Sequence, residues 1–343
     1  MTDTEADEMR QSRGVVGCLT AGFEMLPQNL QVVALPVVLD LVLWLGPRVS
    51  VEPLLHGVSE LLAGQPPTSP EMVGQVEEAV RLLEQFGGRF NLVSVLGNVP
   101  LFHLPSLLAR RAPAAGSPLG MPRVISLSSL LALIPWWILL SLVGLMLGFL
   151  YLNEIAHQVG DVESLGLDEA AEADDDDQAV GADSIRAGVW RFLRFLSFAL
   201  GLTVVGSAAL PLWMLMVTLA TLIAQPLGIL VWVGGVGLLS YTAMHLLFVI
   251  PSLLVGGRRL LHAISESILL SHVNLSSVLG FTLLAVVIYE GLGYAWSLPR
   301  SDSWAMLIGV IGNAFVATGL TGAAFVFYRD RVMLSQRLMA EGE

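Results

Sequence analysis

Four polar residues lie inside long apolar stretches of the sequence, where such side chains are costly and often serve a function. Asp40 falls in the first stretch, His245 in the fourth, Glu290 in the fifth and Asn313 in the sixth. If Asp40, Glu290 and Asn313 share one cavity, two unpaired carboxylates there could exchange a proton or hold a cation. Structural hydrogen bonding near the helix ends would also explain them, so both interpretations stay open.

His245 has no partner for nucleophilic catalysis on its own helix. Ser240 stands five residues before it, and five residues turn an α-helix by about 500°, so the two side chains do not share a face. His262 and Glu266 have the i, i+4 spacing of an ordinary surface pair. The motifs H-E-x-x-H and G-x-S-x-G are missing. We therefore expect a non-enzymatic protein with no metal and no other cofactor.

The basic residues and the cysteine content exclude further classes of chemistry. The chain of 343 residues contains no lysine, and its 17 basic residues are all arginine, so lysine-dependent phosphate loops and Schiff bases are excluded. Cys18 is the single cysteine, which excludes intrachain disulfides and cysteine metal clusters. Basic and aromatic residues do not cluster as in nucleic-acid-binding proteins, and we expect no nucleic-acid partner.

Six stretches of the sequence are long and apolar enough to cross a bilayer, since a spanning helix needs about 20 apolar residues. They are predicted at 26–46, at 124–152 and, within a bundle over 190–328, at 192–222, 227–250, 275–298 and 304–328. The composition agrees, with 55% hydrophobic and 13% charged residues. The predicted fold class is all-α: a polytopic transmembrane bundle of about six spans, with a helical cap between the first two.

Small residues in two predicted spans are spaced for close contact between helices. Gly144 and Gly148 form a G-x-x-x-G pattern in the second span, and Gly319 with Ala323 forms a similar pattern in the sixth. Glycines and prolines such as Pro211 make the third and fourth spans candidates for bent or broken helices, which line some transport sites. Tight packing is the commoner reason for such residues.

The segment 47–123 is predicted to lie outside the membrane and to form the cap. It contains an amphipathic pattern whose apolar face consists of Val73, Val76, Val80 and Leu83. Gly87-Gly88 is expected to end this helix. The proline-interrupted segment 92–108 is predicted to be interfacial or re-entrant, not a further span.

The acidic residues are concentrated in the loop 153–189, which we predict to be disordered and cytoplasmic. The net charge is −12, and 11 acidic residues lie between Glu154 and Asp183, among them Asp174 to Asp177. An amphipathic helix at 257–274 is predicted to lie in the membrane interface.

The distribution of arginines predicts the orientation. If the amphipathic segment 1–25 and the tail 329–343 are cytoplasmic, ten of the 17 arginines lie inside. Six of the other seven fall in the long segment 47–123, and long segments translocate largely regardless of charge. We therefore expect a multi-pass protein of the inner (cytoplasmic) membrane with both termini in the cytoplasm.

The interfacial stretch also carries a resemblance to known proteins. Within LHAISESILLSHVN, an Ala-x-x-x-Ser-x-x-Leu…Asn pattern is made by Ala263, Ser267, Leu270 and Asn274. In this pattern the chain resembles six-helix bacterial membrane proteins related to the membrane domain fused to some glycerophosphodiester phosphodiesterases. The resemblance implies a six-helix membrane bundle. It implies no phosphodiesterase activity, because the catalytic barrel and its metal-binding His and Glu residues are missing from this chain.

These features favour a membrane component of a transport system or of a membrane assembly that handles a lipid or small amphiphile. Two alternatives stay open. One is a scaffold or accessory subunit that holds partners through the G-x-x-x-G face and the acidic loop; the other is an intramembrane enzyme that modifies lipid headgroups. The expected partners are membrane lipids and protein subunits in the membrane.

Overall fold

The computed structural model describes residues 14–64, 70–97, 104–111, 116–160 and 180–341. Its α-helices are α1 (Val15–Glu24), α2 (Leu30–Leu45), α3 (Glu52–Ala63), α4 (Pro70–Arg89), α5 (Leu107–Arg111), α6 (Leu130–Val159), α7 (Val180–Ile223), α8 (Gln225–Leu246), α9 (Val249–Leu254), α10 (Leu260–Val273), α11 (Leu275–Trp296) and α12 (Met306–Glu341). Short 3-10 turns cover Leu26–Gln28 and Leu92–Gly97, and the strands β1 (Arg48–Ser50) and β2 (Val124–Ser126) pair in parallel. The prediction of an all-α bundle is confirmed.

Five helical segments of the described chain are long and apolar enough to cross a membrane. They are Leu130–Val159, Arg186–Ile223, Gln225–Leu254, Leu275–Trp296 and Met306–Leu334. The first predicted span, 26–46, corresponds instead to a shorter helix. With 16 residues, α2 is about 24 Å long, less than the roughly 30 Å of a bilayer's hydrocarbon core.

The second predicted span, 124–152, begins and ends later in the structure. Its first residues form β2, and α6 begins only at Leu130, where the Ser129 hydroxyl accepts a hydrogen bond from the Leu131 N–H at 3.1 Å. Because α6 continues to Val159 and α7 begins at Val180, the predicted disordered loop 153–189 is helical at both ends. Residues 161–179, which include Asp174 to Asp177, lie outside the described residues, as do residues 1–13.

The predicted amphipathic helix of the cap is α4, and it runs through Gly87-Gly88 instead of ending there. Gly87 is a packing position: a β-carbon on it would lie 3.3 Å from the Leu55 side chain of α3. The helices α3 and α4 therefore pack closely at this glycine.

The fourth predicted span, 227–250, is interrupted at Leu247 and Phe248, between α8 and α9, whereas the glycines and prolines within α7 and α8 do not break these helices. Pro211 lies inside a continuous α7, and the Trp213 indole N–H of that helix donates to the Val231 carbonyl of α8 at 3.3 Å. Gly235 of α8 faces the Trp213 ring, where a β-carbon would collide with the indole. The small residues thus serve the contact between the two helices.

The chain divides into two compact units. Unit 1 comprises Met1–Met25, Leu152–Val287 and Gly319–Glu343, and its core includes Phe248 and Phe327, whose ring centroids are 5.5 Å apart. Unit 2 comprises Leu26–Tyr151 and Ile288–Thr318. Its core is a cluster of Trp44, Leu107, Leu108, Met306 and Val310.

In unit 1 the end of α8 is held by α10, through the same residues that carry the resemblance. Ala263 and Ser267 are fully buried. The Ser267 hydroxyl donates to the His245 carbonyl at 2.6 Å and accepts the Phe248 N–H at 3.2 Å. Since the last carbonyls of a helix have no partner within it, Ser267 satisfies groups that the interruption between α8 and α9 leaves open.

Replacing Ser267 by alanine is expected to lower the free energy of unfolding by about 1–3 kcal/mol, because two buried backbone groups lose a partner. The thermal midpoint of the purified protein in detergent measures the effect. The matched control is Ser265→Ala two residues away, whose exposed hydroxyl bonds only within α10, to the Leu261 carbonyl. Equal midpoints for the two variants would contradict the structural role of Ser267.

Candidate functional site

Asp40 is completely buried in unit 2 and acts as a cap for α5. Its carboxylate accepts hydrogen bonds from the Ser106 hydroxyl, from the Leu107 N–H at 3.0 Å and from the Leu108 N–H at 3.1 Å. Ser106 in turn accepts the Ala109 N–H at 3.0 Å. A helix of five residues cannot satisfy its own first N–H groups, and a carboxylate also interacts favourably with them. Asp40 therefore fixes α5 against α2.

The helix that Asp40 caps carries two consecutive arginines, and both reach Glu290 of α11. Arg110 forms an ion pair with one carboxylate oxygen of Glu290, and the Nη2 atom of Arg111 lies 3.4 Å from the other. The expectation that both intramembrane acids are unpaired is therefore wrong for Glu290. Its partners come from the cap, about 180 residues earlier in the chain, a contact that no periodic pattern in the sequence reveals.

Two tyrosines of α11 hold the arginine side chains in place. The guanidinium carbon of Arg110 lies 4.4 Å from the centroid of the Tyr289 ring, and that of Arg111 lies 5.8 Å from the centroid of Tyr294. Guanidinium groups are attracted to the faces of aromatic rings at such distances. Burial opposes the charge of Arg110, but its contacts with Tyr289 and Glu290 outweigh burial and raise the pKa of the guanidinium above its ordinary value.

Asn313 of α12 lies behind this group and is only 2% exposed. Its Nδ2 atom is buried, and it makes no hydrogen bond to the described residues. Gly293 stands between it and the arginines: a β-carbon there would lie 3.7 Å from Arg111 Nη2 and 3.9 Å from Asn313 Oδ1. The structure thus brings Asp40, Glu290 and Asn313 into the same unit, although Asp40 is fully engaged by α5.

A cavity of about 500 Å³ opens beside the ion pairs, and we name it the arginine cavity. Its lining includes the polar residues Arg110, Arg111, Glu290 and Ser297 and the apolar residues Leu107, Leu108, Pro299 and Met306. Two arginines against one glutamate leave one excess positive charge. The volume falls within the range of about 300–1,000 Å³ that is typical of small-molecule sites. A lining that combines apolar residues with two arginines suits an amphiphile with an anionic group.

His245 belongs to unit 1, so the structure does not group it with the other three polar residues. It is buried, its Nδ1 atom lies 2.9 Å from the Tyr241 carbonyl oxygen, and its ring packs against that of Tyr241 at a centroid distance of 4.2 Å. Ser240 donates its hydroxyl hydrogen to the Val236 carbonyl instead of to His245. These contacts give His245 a packing role.

The two small-residue patterns contact different segments of the chain, one a 3-10 turn and the other an α-helix. A β-carbon on Gly144 would lie 2.9 Å from the Leu96 carbonyl oxygen, so this glycine admits the 3-10 turn of the cap; Gly148 is also buried. Gly319 and Ala323 contact α1, where a β-carbon on Gly22 would lie 2.6 Å from the Gly319 carbonyl oxygen. Both patterns are therefore used within the chain.

Arg110 and Arg111 are not among the site residues predicted from the sequence, where they count only as charges of the long segment 47–123. One signal could have found them. They directly follow the apolar end of the segment predicted to be interfacial, and the structure buries that end at Leu104 and Ser106. Charged residues next to a segment predicted to be interfacial are expected at the level of the lipid headgroups.

The fold and the apolar helices define this chain as a multi-pass α-helical membrane protein. Comparisons with protein-family models, with curated proteins and with solved structures found no match. Among the described residues, no three His, Cys, Asp or Glu side chains are grouped as metal ligands would be.

Proposed function

We propose that this protein binds an anionic lipid or small amphiphile in the arginine cavity and works, without catalysing a reaction, as a membrane component of a transport system or membrane assembly. The observation that carries the proposal is the pair of arginines in a cavity that is also lined by leucines and a methionine. Arginine suits this task because its fork of N–H donors matches the oxygens of a phosphate or carboxylate.

The position of the cavity along α11 supports a lipid headgroup as the bound group. Glu290 lies six residues before the end of the helix at Trp296, or about 9 Å along the axis. Tyrosine and tryptophan are enriched at the level of the headgroups, and Tyr289, Tyr294, Trp296 and Trp304 all belong to this region. We further propose that the membrane is the inner (cytoplasmic) membrane and that both termini are cytoplasmic, as the arginine distribution favours.

Replacing Arg111 by glutamine is expected to weaken binding of phosphatidylglycerol at least tenfold, because a charge-assisted hydrogen bond contributes about 1.5–3 kcal/mol. The measurement is native mass spectrometry of the purified full chain, titrated with phosphatidylglycerol and, separately, with phosphatidylcholine. We expect the wild type to retain the anionic lipid in preference to the zwitterionic one, and the variant to lose that preference.

The matched control is Arg300→Gln in the same unit. Arg300 has a side chain that is 83% exposed, and it pairs with Asp302 outside the cavity. We expect this variant to bind phosphatidylglycerol as the wild type does. If both arginine variants lose the lipid equally, the charge of the surface and not the cavity determines binding, and the proposed function fails.

The two alternatives receive less support from the contacts. A scaffold that uses the G-x-x-x-G face would need Gly144 to be open to a partner, but Leu96 of the same chain covers it. An enzyme built on Asp40 would need that carboxylate to reach a substrate, but it is fully buried and caps α5.

A further inference from the structure

The two kinds of charged group in the arginine cavity differ in how firmly they are held. The side chains of Arg110 and Arg111 are 28% and 29% exposed, and tyrosine rings pack against both. The Glu290 side chain is 50% exposed and makes its contacts at its carboxylate end. The cationic part of the site is therefore fixed, whereas the glutamate has room to leave it.

The carboxylate of Glu290 is also placed as a bound oxyanion would be. One of its oxygens contacts Arg110 and the other contacts Arg111, so a two-oxygen anion bridges the two guanidinium groups. Phosphate, sulfonate and carboxylate groups all present two or more oxygens in this way. Gly293, which follows Glu290 by one helical turn, keeps open the space beside Arg111 that a side chain would fill.

We propose that Glu290 is a built-in competitor of the ligand: its carboxylate occupies the anion position of the empty cavity, and the oxyanion of the incoming amphiphile displaces it. This inference rests on the proposed function and adds the regulation of the same site. The apparent dissociation constant is then the intrinsic one divided by the fraction of molecules in which Glu290 has left the arginines.

Removing the charge of Glu290 has opposite effects on ligand binding under the competitor role and under the other roles that Glu290 could have. If Glu290 held a cation, accepted a proton for transport or only stabilised the fold, removing its charge would weaken ligand binding or lower the stability of the protein. If it competes with the ligand, removing the charge strengthens binding. A carboxylate that is free of the arginines in one molecule in ten makes binding tenfold weaker than the site allows.

The test compares Glu290→Gln, Arg111→Gln and the double variant with the wild type. Phosphatidylglycerol in mixed micelles with phosphatidylcholine is the lipid probe, and inorganic phosphate in solution is the second arm. We expect Glu290→Gln to bind phosphatidylglycerol about tenfold more tightly, and the double variant to return to the weak binding of Arg111→Gln. If Glu290→Gln binds inorganic phosphate more tightly than the wild type does but binds phosphatidylglycerol with unchanged affinity, the site takes a free oxyanion and not a lipid headgroup.

Equal or weaker binding by Glu290→Gln overturns the competitor role, provided that Arg111→Gln still weakens binding; in that case the proposed function stands. If Arg111→Gln binds as the wild type does, the proposed function itself has failed. Asp302→Asn is the control for removing one exposed acid from the same unit, and we expect it to leave binding unchanged. Thermal midpoints of all variants show that each is folded.

Discussion

Replacing Asp40 by alanine is expected to destabilise the protein by about 3–5 kcal/mol. The change leaves the buried N–H groups of Leu107 and Leu108 without an acceptor and removes the partner of the Ser106 hydroxyl. Each buried unsatisfied group costs about 1–3 kcal/mol. The thermal midpoint in detergent, followed by tryptophan fluorescence and by retention on a size-exclusion column, measures the loss.

Two further variants test whether Asp40 only caps α5 or also takes part in ligand binding. Asp302→Asn removes a half-exposed acid and should change the free energy of unfolding by less than about 0.5 kcal/mol. Asp40→Asn keeps the shape but offers one acceptor oxygen in place of two, so we expect an intermediate loss. A stable Asp40→Ala protein that has lost lipid binding would show that Asp40 contacts the ligand, against the capping role.

Replacing Gly22 by alanine is expected to detach α1 from α12. A β-carbon at this position would lie 2.6 Å from both the Ala323 Cα and the Gly319 carbonyl oxygen, and backbone atoms cannot rotate away as a side chain can. Forcing extra volume into a packed contact costs typically 1–3 kcal/mol and sometimes more. Because α1 has only ten residues, its docking is the contact that gives way.

The sole cysteine makes this detachment directly measurable. Cys18 lies in α1 and is completely buried, so its rate of modification by a maleimide reports how often α1 leaves its site. We expect modification to be at least tenfold faster in Gly22→Ala than in the wild type. A loss of about 1.4 kcal/mol in the docking of α1 raises the undocked population tenfold. The control is Gly14→Ala at the start of the same helix, where nothing lies within 4 Å of the added carbon. Equal labelling rates in the two variants would contradict the close packing of α1.

Sequence patterning predicts the helical class and most of the spans because a spanning helix must be apolar along its whole length, which is a local and redundant signal. The ends of the helices are predicted less well, since single contacts decide them. Ser129 delays the start of α6, and Gly87 is tolerated inside α4 because α3 packs against it. Neither contact leaves a periodic trace in the sequence.

The candidate site could be predicted only in part. Glu290 and Asn313 stand out because polar residues are rare in apolar stretches, and the same rule marks Asp40. The rule cannot distinguish a carboxylate that caps a helix from one that faces a cavity. That distinction depends on where the segment 47–123 places α5. The placement involves a tertiary contact between residues more than 60 positions apart. The arginines that complete the site come from the same placement.

The strand β1 is held next to the end of α4, which determines how this protein can be altered. The Val49 N–H donates to the Asn91 side chain at 3.0 Å, and the Arg48 guanidinium donates to the Arg89 carbonyl at 2.9 Å, so the two ends of the segment between them lie side by side. That segment, α3 with α4, contributes no residue to the arginine cavity. It is a module with adjacent ends, which could be exchanged for a reporter domain or an antibody epitope while the rest of the chain keeps its connectivity.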